Sequence, residues 1–327
     1  MEDTTQPWEG PLHILSLDGG GIKGLFSAAV LAKLEEDLDI DITDHFDLIV
    51  GTSTGGIIAI GLGMGIRPRE LVDFYLNHGL TIFHKKPLGW SKAQHWFCRK
   101  YSNHELRTSL KKVLGNKILG ESTKRLVIPT YNLDADDVRL FKTPHHDRLR
   151  GDWKIEAWKI AMATSAAPTY FPAFREIDDQ RLIDGGVWAN NPTMVGITEA
   201  CALLNASLDQ VRVLSLGTCD DVVRRPDRLN AGGLISWRQD GVKVVMRGQS
   251  VGMNKMASLL FPDDRVCRID PKVPDKLFRL DRTDRMDKLM AYASHSSQHF
   301  GPRFVQCFLP HKASAYTPLY PAEGAGS

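Results

Sequence analysis

The 327-residue chain has little in its bulk properties that points to a partner. Lys plus Arg number 41 against 39 Asp plus Glu, a formal charge of +2. A general nucleic-acid binder needs a basic excess that this balance does not supply, so no nucleic-acid partner is expected. Five cysteines, Cys98, Cys201, Cys219, Cys267 and Cys307, are odd in number and show no C-x-x-C spacing. Reduced thiols in a cytoplasm are the expectation. The H-E-x-x-H pattern and the acidic calcium loop D-x-[DN]-x-[DN]-G are also missing, so neither a metal nor another cofactor is expected. Internal repeats, low-complexity tracts and a Pro/Gly/Ser linker are absent, which favours one compact unit. The start M-E-D-T-T-Q-P-W-E-G has neither a basic opening nor an apolar segment, and no secretory signal is expected from it.

One stretch imitates a membrane span. Leu48 to Ile66 holds no charged residue over nineteen positions, yet six of those are glycines, and Thr52, Ser53 and Thr54 break it near its start. That composition fits strand, turn and buried helix better than a bilayer-crossing helix.

Apolar periodicity supplies the framework. His13 to Leu17 is a short apolar run ending in glycines, after which Phe26, Val30, Leu34 and Leu38 recur at i+4 beside a charged face of Lys33, Glu35, Glu36 and Asp37. Strand, glycine turn and amphipathic helix follow from that pattern. Phe46 to Val50, the turn G-T-S-T-G-G and the apolar Ile57 to Leu62 repeat it. Further strands are expected at Leu126 to Thr130, Val138 to Phe141 and Val211 to Leu216, with a helix over Trp153 to Thr164. Beyond Cys219, a helical stretch from Val242 to Leu260 and a strand at Val266 to Ile269 are expected, and the final P-A-E-G-A-G-S reads as a frayed tail. This alternation indicates an α/β fold with a largely parallel sheet.

Four short blocks carry the chemistry. In S-L-D-G-G-G-I-K-G, Gly19, Gly21 and Gly24 match the G-x-G-x-x-G spacing of a dinucleotide turn. A dinucleotide site also needs a carboxylate at the end of the second strand to hold the ribose, and that strand ends V-G-T-S. The Walker spacing is absent too. Glycine N–H groups serve equally well as donors to an oxyanion, and Gly20 and Gly21 carry no side chain to obstruct them. The second block, G-T-S-T-G from Gly51 to Gly55, is a G-x-S-x-G match between a strand and a helix. There a sharp turn holds the Ser53 hydroxyl clear of the backbone and a helix N-terminus favours negative charge. The hydroxyl still needs a base. None of the eleven histidines stands in a setting that singles it out: His13 lies in a strand, and His84, His95, His145 and His146 lie in polar stretches expected to be exposed. Asp184, in R-L-I-D-G-G-V-W-A-N-N-P, is the other candidate, although Asp-Gly by itself is chiefly a hairpin-turn signal.

Taken together, L-D-G-G-G-I-K-G, G-T-S-T-G-G, A-T-S-A-A-P-T-Y-F-P (Ala163 to Pro172) and D-G-G-V-W-A-N-N-P resemble the patatin-like phospholipases over about Ile14 to Leu216. The resemblance implies a three-layer α/β fold with a central, mostly parallel sheet flanked by helices. It implies a Ser-Asp dyad without histidine, Ser53 attacking the ester carbonyl and Asp184 acting as base. The oxyanion hole then maps onto Gly19, Gly20 and Gly21, supported by Lys23, Gly24, Gly51, Gly55, Gly185 and Gly186. The family often has Arg at the position of Lys23. A free aspartate, with a pKa of about 3.9, is a poor base for a hydroxyl, so desolvation of Asp184 and a hydrogen bond to Ser53 are required.

The division expected is a phospholipase core over residues 10–220 and a C-terminal region over residues 221–327 that completes or covers it. The implied substrate is a membrane glycerophospholipid, cut to fatty acid and lysophospholipid by a cytoplasmic protein in peripheral contact with the inner membrane. Basic residues from Lys85 to Lys117, interleaved with Phe83, Trp90, Trp96, Phe97 and Tyr101, suit an anionic lipid face. The layout is also similar to bacterial patatin-like effectors of cyclic-oligonucleotide antiphage signalling. That similarity implies a cyclic dinucleotide activator, with Arg224, Arg225, Arg228, Arg238, Lys243 and Arg247 available to meet phosphates. A second copy of the chain is a further partner to consider. Two other readings stay open: a His-dependent hydrolase using His295 or His299 with Ser53 and Asp184, and a nucleotide-binding module without chemistry.

Overall fold

The computed structural model describes residues 6–82, 103–222, 227–232, 237, 241–261, 265–274, 277–278 and 283–320. Nine strands and nine α-helices are named among them: β1 (Leu12–Leu17), α1 (Gly24–Leu38), β2 (Leu48–Gly51), α2 (Thr54–Gly63), α3 (Pro68–Ile82), α4 (His104–Leu114), β3 (Arg125–Asn132), β4 (Asp137–Lys142), α5 (Ala157–Thr164), β5 (Leu182–Asp184), α6 (Gly186–Ala189), α7 (Thr193–Ala202), β6 (Val211–Leu216), β7 (Asp220–Val222), α8 (Gly241–Leu260), β8 (Val266–Ile269), β9 (Lys272–Pro274) and α9 (Met286–Cys307).

Seven strands form one sheet in the order β4-β3-β2-β1-β6-β8, with β5 also paired to β3. The four pairings from β3 through β8 are parallel, and β4 and β5 join β3 antiparallel. β1 sits at the centre, with Leu17 opposite Gly51 on one side and Leu216 on the other. All six of its residues are buried because both sheet faces are covered. The period-two alternation divides them between two cores. Leu15 and Leu17 join Ile49 and the side chains of α1, α2, α3, α5 and α9, whereas Leu12 and Ile14 join Leu48, Val50, Ile197 of α7 and Ala257 of α8. Three layers result, helices over sheet over helices.

Helix α1 bears out its i+4 pattern, with Phe26, Val30 and Leu34 buried, but its charged side is not wholly exposed. Glu35 is buried and accepts from Ile42 N–H at 3.0 Å, and α1 also packs against α3 and α9. Helix α5 begins later than the periodicity suggests. Ala157 N–H donates to Lys117 O, and Glu156 forms an isolated bridge with Ile118, so the preceding residues belong to a turn. The uncharged run of Leu48 to Ile66 is β2, a turn and the fully buried α2. Among the described residues no helix is long and apolar enough to cross a membrane.

The C-terminal region is built into this frame. β8 extends the main sheet beside β6, α8 packs on α6 and α7, and α9 packs on α1.

Candidate active site

The turns at the C-terminal ends of β1 and β2 meet. Ser53 follows β2 at the N-terminus of α2 with φ 55° and ψ −121°, a conformation rare for a residue with a side chain. Three contacts hold it there. Ser53 N–H donates to Thr164 Oγ1 at 3.0 Å, Thr164 Oγ1 donates to Pro129 O at 2.7 Å, and Thr52 Oγ1 donates to Ala189 O at 2.6 Å. Gly55, in the first turn of α2, is pressed so closely onto β1 that a Cβ there would lie 2.2 Å from Leu17 O. Gly51 ends β2, opposite Leu17 of β1, and Gly24 opens α1 against the Thr54 side chain. Gly19 and Gly24 of the nucleotide-like spacing thus let the β1 turn pack closely onto Ser53 and Thr54 of the β2 turn.

Asp184 is the last residue of β5. Its N–H donates to Ala166 O at 3.1 Å, and its Oδ1 accepts from Gly186 N–H at 2.7 Å. The Asp-Gly pair thus ends a strand and leads into α6 instead of turning a hairpin, because β5 is held by β3 and not by a following strand. Gly185 lies against β3, and a Cβ there would come 2.3 Å from Pro129 O. Asp184 is buried, and desolvation pushes its carboxyl pKa up to about 6, opposed by hydrogen bonds from the Ser53 hydroxyl and from Gly186 N–H. A carboxylate so shifted is a serviceable base near neutral pH.

The three glycines of the turn divide their work. Gly19 N–H is occupied by Asn190 O at 2.9 Å, so Gly19 is not the free donor that the resemblance implied. Gly20 and Gly21 line the cavity with Ser53 and Asp184. Gly21 has φ +58°, which a glycine adopts without strain. Lys23 Nζ donates to Cys219 O at 3.1 Å, and Lys23 does not line the cavity.

The cavity, about 710 Å³ with its mouth, has mostly apolar walls that include Ile57, Phe74, Ile82, Leu106 and Phe171. Five polar or adaptable residues that were not singled out in the sequence also face it: Tyr75, Ser165, Tyr170, Asn190 and Met246. Tyr75 hydrogen-bonds the Thr54 hydroxyl and Thr54 O. Asn190 Nδ2 donates to Ser250 Oγ of α8 at 3.0 Å. Ser165 and Asn190 lay within the quoted blocks A-T-S-A-A-P and A-N-N-P, but Tyr75 and Met246 had no local signal.

The histidine candidates go elsewhere. His295 and His299 lie on α9 with their Nε2 atoms 3.0 Å apart, and neither lines the cavity, so the histidine-dependent reading finds no base at either of its two candidates. His145 and His146, expected to be exposed, are buried, and His145 Nε2 pairs with Glu199 Oε1 at 2.9 Å. Of the proposed lipid-facing residues, those from Phe83 to Tyr101 lie outside the described residues. Arg107 pairs with Glu176, Lys111 sits 4.2 Å from the Trp158 ring centroid and Lys117 donates to Met64 O at 2.9 Å. Arg224, Arg225, Arg238 and the side chains of Arg228 and Lys243 also lie outside them, and Arg247 is half-buried on α8. Among the described residues no cluster of three or more His, Cys, Asp or Glu is placed to hold a metal ion.

A glycine turn, a serine at positive φ and a desolvated aspartate thus border one mostly apolar cavity. The family profile described as Patatin-like phospholipase matches residues 15–197. The chain belongs to the patatin-like phospholipase family. Its relatives in that family include three proteins named cGAMP-activated phospholipase. The one from Pseudomonas aeruginosa (strain BWHPSA011 / Pa011) is 32% identical over 312 residues, 93% of each chain. The one from Escherichia coli (strain TW11681) is 35% identical over 236 residues, 67% of this chain and 65% of that one. The third, from Vibrio cholerae serotype O1, is 35% identical over 229 residues, 63% of this chain and 64% of that one. The chain thus spans slightly less than two thirds of the latter two.

Proposed function

We propose that this lipid ester hydrolase cleaves acyl esters of membrane glycerophospholipids with Ser53 as nucleophile and Asp184 as base, and that a cyclic dinucleotide activates it. The observation that carries the reading is that the buried Asp184 carboxyl, raised to about 6 by desolvation and lowered in part by the Ser53 hydroxyl, lines one apolar cavity together with Ser53 and the Gly20–Gly21 turn. Above that pH the carboxylate accepts the Ser53 proton as Oγ forms a bond to the ester carbonyl carbon. The carbonyl oxygen becomes an oxyanion and takes hydrogen bonds from Gly20 and Gly21 N–H, with the N-terminus of α2 adding its positive end. Collapse breaks the ester C–O bond, and protonated Asp184 gives its proton to the departing lysophospholipid oxygen. Water then attacks the acyl-serine as Asp184 takes its proton; the second oxyanion collapses, the Oγ–acyl bond breaks, Asp184 returns that proton to Ser53 Oγ, and fatty acid leaves. Ile57, Phe74, Ile82, Leu106 and Phe171 offer the acyl chain an apolar wall. The activator is supported by the names of the three relatives. Lipid mass spectrometry of phospholipid vesicles treated with wild type and with Ser53→Ala, with and without cGAMP, tests both parts. Fatty acid and lysophospholipid released by wild type alone, and more with cGAMP, are expected. Equal release by Ser53→Ala would refute the nucleophile, and equal release without cGAMP would refute the activation.

A further inference from the structure

Arg268 on β8 reaches the oxyanion turn from the C-terminal region. Its Nη1 donates to Asp18 Oδ1 at 2.8 Å and to Ser215 Oγ at 2.7 Å, and its Nη2 donates to Asp18 Oδ2 at 2.6 Å and to Asp270 Oδ2 at 2.7 Å. The Arg268 side chain is 18% exposed and that of Asp18 is 4% exposed. A planar guanidinium fork on a carboxylate fixes direction as well as distance, which a point charge does not.

Asp18 is the residue immediately before Gly19 to Gly21. Its N–H donates to Leu216 O at 3.0 Å, while Thr218 Oγ1 donates to Gly19 O at 3.3 Å. Backbone bonds thus place the start of the turn, and the Arg268 fork fixes the side chain from which the turn departs. The fork has an electrostatic consequence too. An unpaired aspartate beside a turn that must receive an oxyanion would oppose the charge developing there, and the guanidinium offsets it.

We propose that Arg268 is a positioning residue for acyl transfer: by locking Asp18 it aims the Gly20 and Gly21 N–H groups at the reacting carbonyl oxygen, without touching the substrate. The inference rests on the Ser53–Asp184 reading. It also makes β8, in the C-terminal region, a direct mechanical link to the turn, so that a shift of that strand reaches the reacting centre through one side chain.

The test compares full-length wild type, Arg268→Lys, Arg268→Met and Ser53→Ala on p-nitrophenyl butyrate with cGAMP present. It also follows the rate at which a fluorophosphonate labels Ser53, a reaction that places a P–O oxygen in the same hole, and the thermal unfolding of each variant. A loss of one well-placed oxyanion donor lowers kcat by about 10²-fold, and Arg268→Met is expected to fall by that order with KM changed less than about threefold. Labelling should slow in parallel, and Arg268→Lys, which keeps the charge without the fork, should recover only part of the rate. A folded Arg268→Met with wild-type kcat and labelling rate overturns the inference. If that variant fails to fold, Arg268→Lys decides: folded with wild-type kcat and labelling, it overturns the inference just the same. Undiminished hydrolysis by Ser53→Ala would instead remove the dyad reading, while an inactive Ser53→Ala beside fully active Arg268 variants removes this inference alone.

Discussion

Replacing Asp184 with Asn separates catalysis from stability in opposite directions. Burial raises the Asp184 pKa from its ordinary 3.8 to about 6. The folded state therefore holds that proton more tightly than the unfolded chain does. The group's contribution to stability is fully present below pH 3.8 and is lost as pH rises through 6. At 1.36 kcal/mol for each tenfold change in proton affinity, the full loss is about 3 kcal/mol. Of this, about 1.4 kcal/mol falls between pH 5 and pH 8. Asparagine carries no charge to desolvate, and its amide oxygen can still accept from Gly186 N–H. The stability of Asp184→Asn relative to wild type should thus rise by about 1.4 kcal/mol from pH 5 to pH 8. Asp18, also raised to about 6 by burial, titrates in both proteins and cancels in the difference. Urea unfolding of the two proteins at several pH values measures the effect, and ester hydrolysis measures the activity. Wild-type kcat/KM should climb about tenfold per pH unit below 6 and then level, while the variant is inactive throughout. A pH-independent stability difference would refute the desolvation argument, and an active variant would refute the role of Asp184 as base.

Two further outcomes follow from backbone geometry. Ser53 has φ 55° and ψ −121°, so Ser53→Gly should be more stable than Ser53→Ala by about 1 kcal/mol in urea titrations, although both are inactive. Equal stabilities would mean that the turn stores no strain. At Gly185 a Cβ would lie 2.3 Å from Pro129 O, and Gly185→Ala should cost about 1–3 kcal/mol or more while slowing hydrolysis through displacement of Asp184. Unchanged melting and activity would show that β5 yields there freely.

Local pattern made several elements legible. G-T-S-T-G-G between an apolar strand and an apolar helix predicted the Ser53 turn, because strand period, glycine and helix start are all properties of neighbouring residues. The central strands were legible for the same reason, and Val266 to Ile269 is a strand at the predicted bounds. Asp184 was different. Its neighbours are compatible with a hairpin, and only the resemblance of four separated blocks joined it to Ser53. Tyr75 and Met246 gave no signal because their role depends on which helix ends beside which turn. His145 sat in a polar stretch and is nevertheless buried, since Glu199, far along the chain, supplies its partner.

The sequence by itself determined the alternation of strands and helices, the glycine turns and the short list of residues able to do acyl chemistry. Periodicity and turn chemistry are written in residues a few positions apart. Tertiary structure decided which atoms are free to act. Gly19 N–H is taken by Asn190 O, while Gly20 and Gly21 line the cavity, and burial between β3, the Ala166 segment and α6 raises the carboxyl pKa of Asp184 to about 6. Arg268 meets Asp18 because β8 joins the sheet beside β6, two places from the strand that Asp18 follows. Desolvation and long-range pairing arise only when distant segments are packed together, and no spacing along the chain encodes them directly.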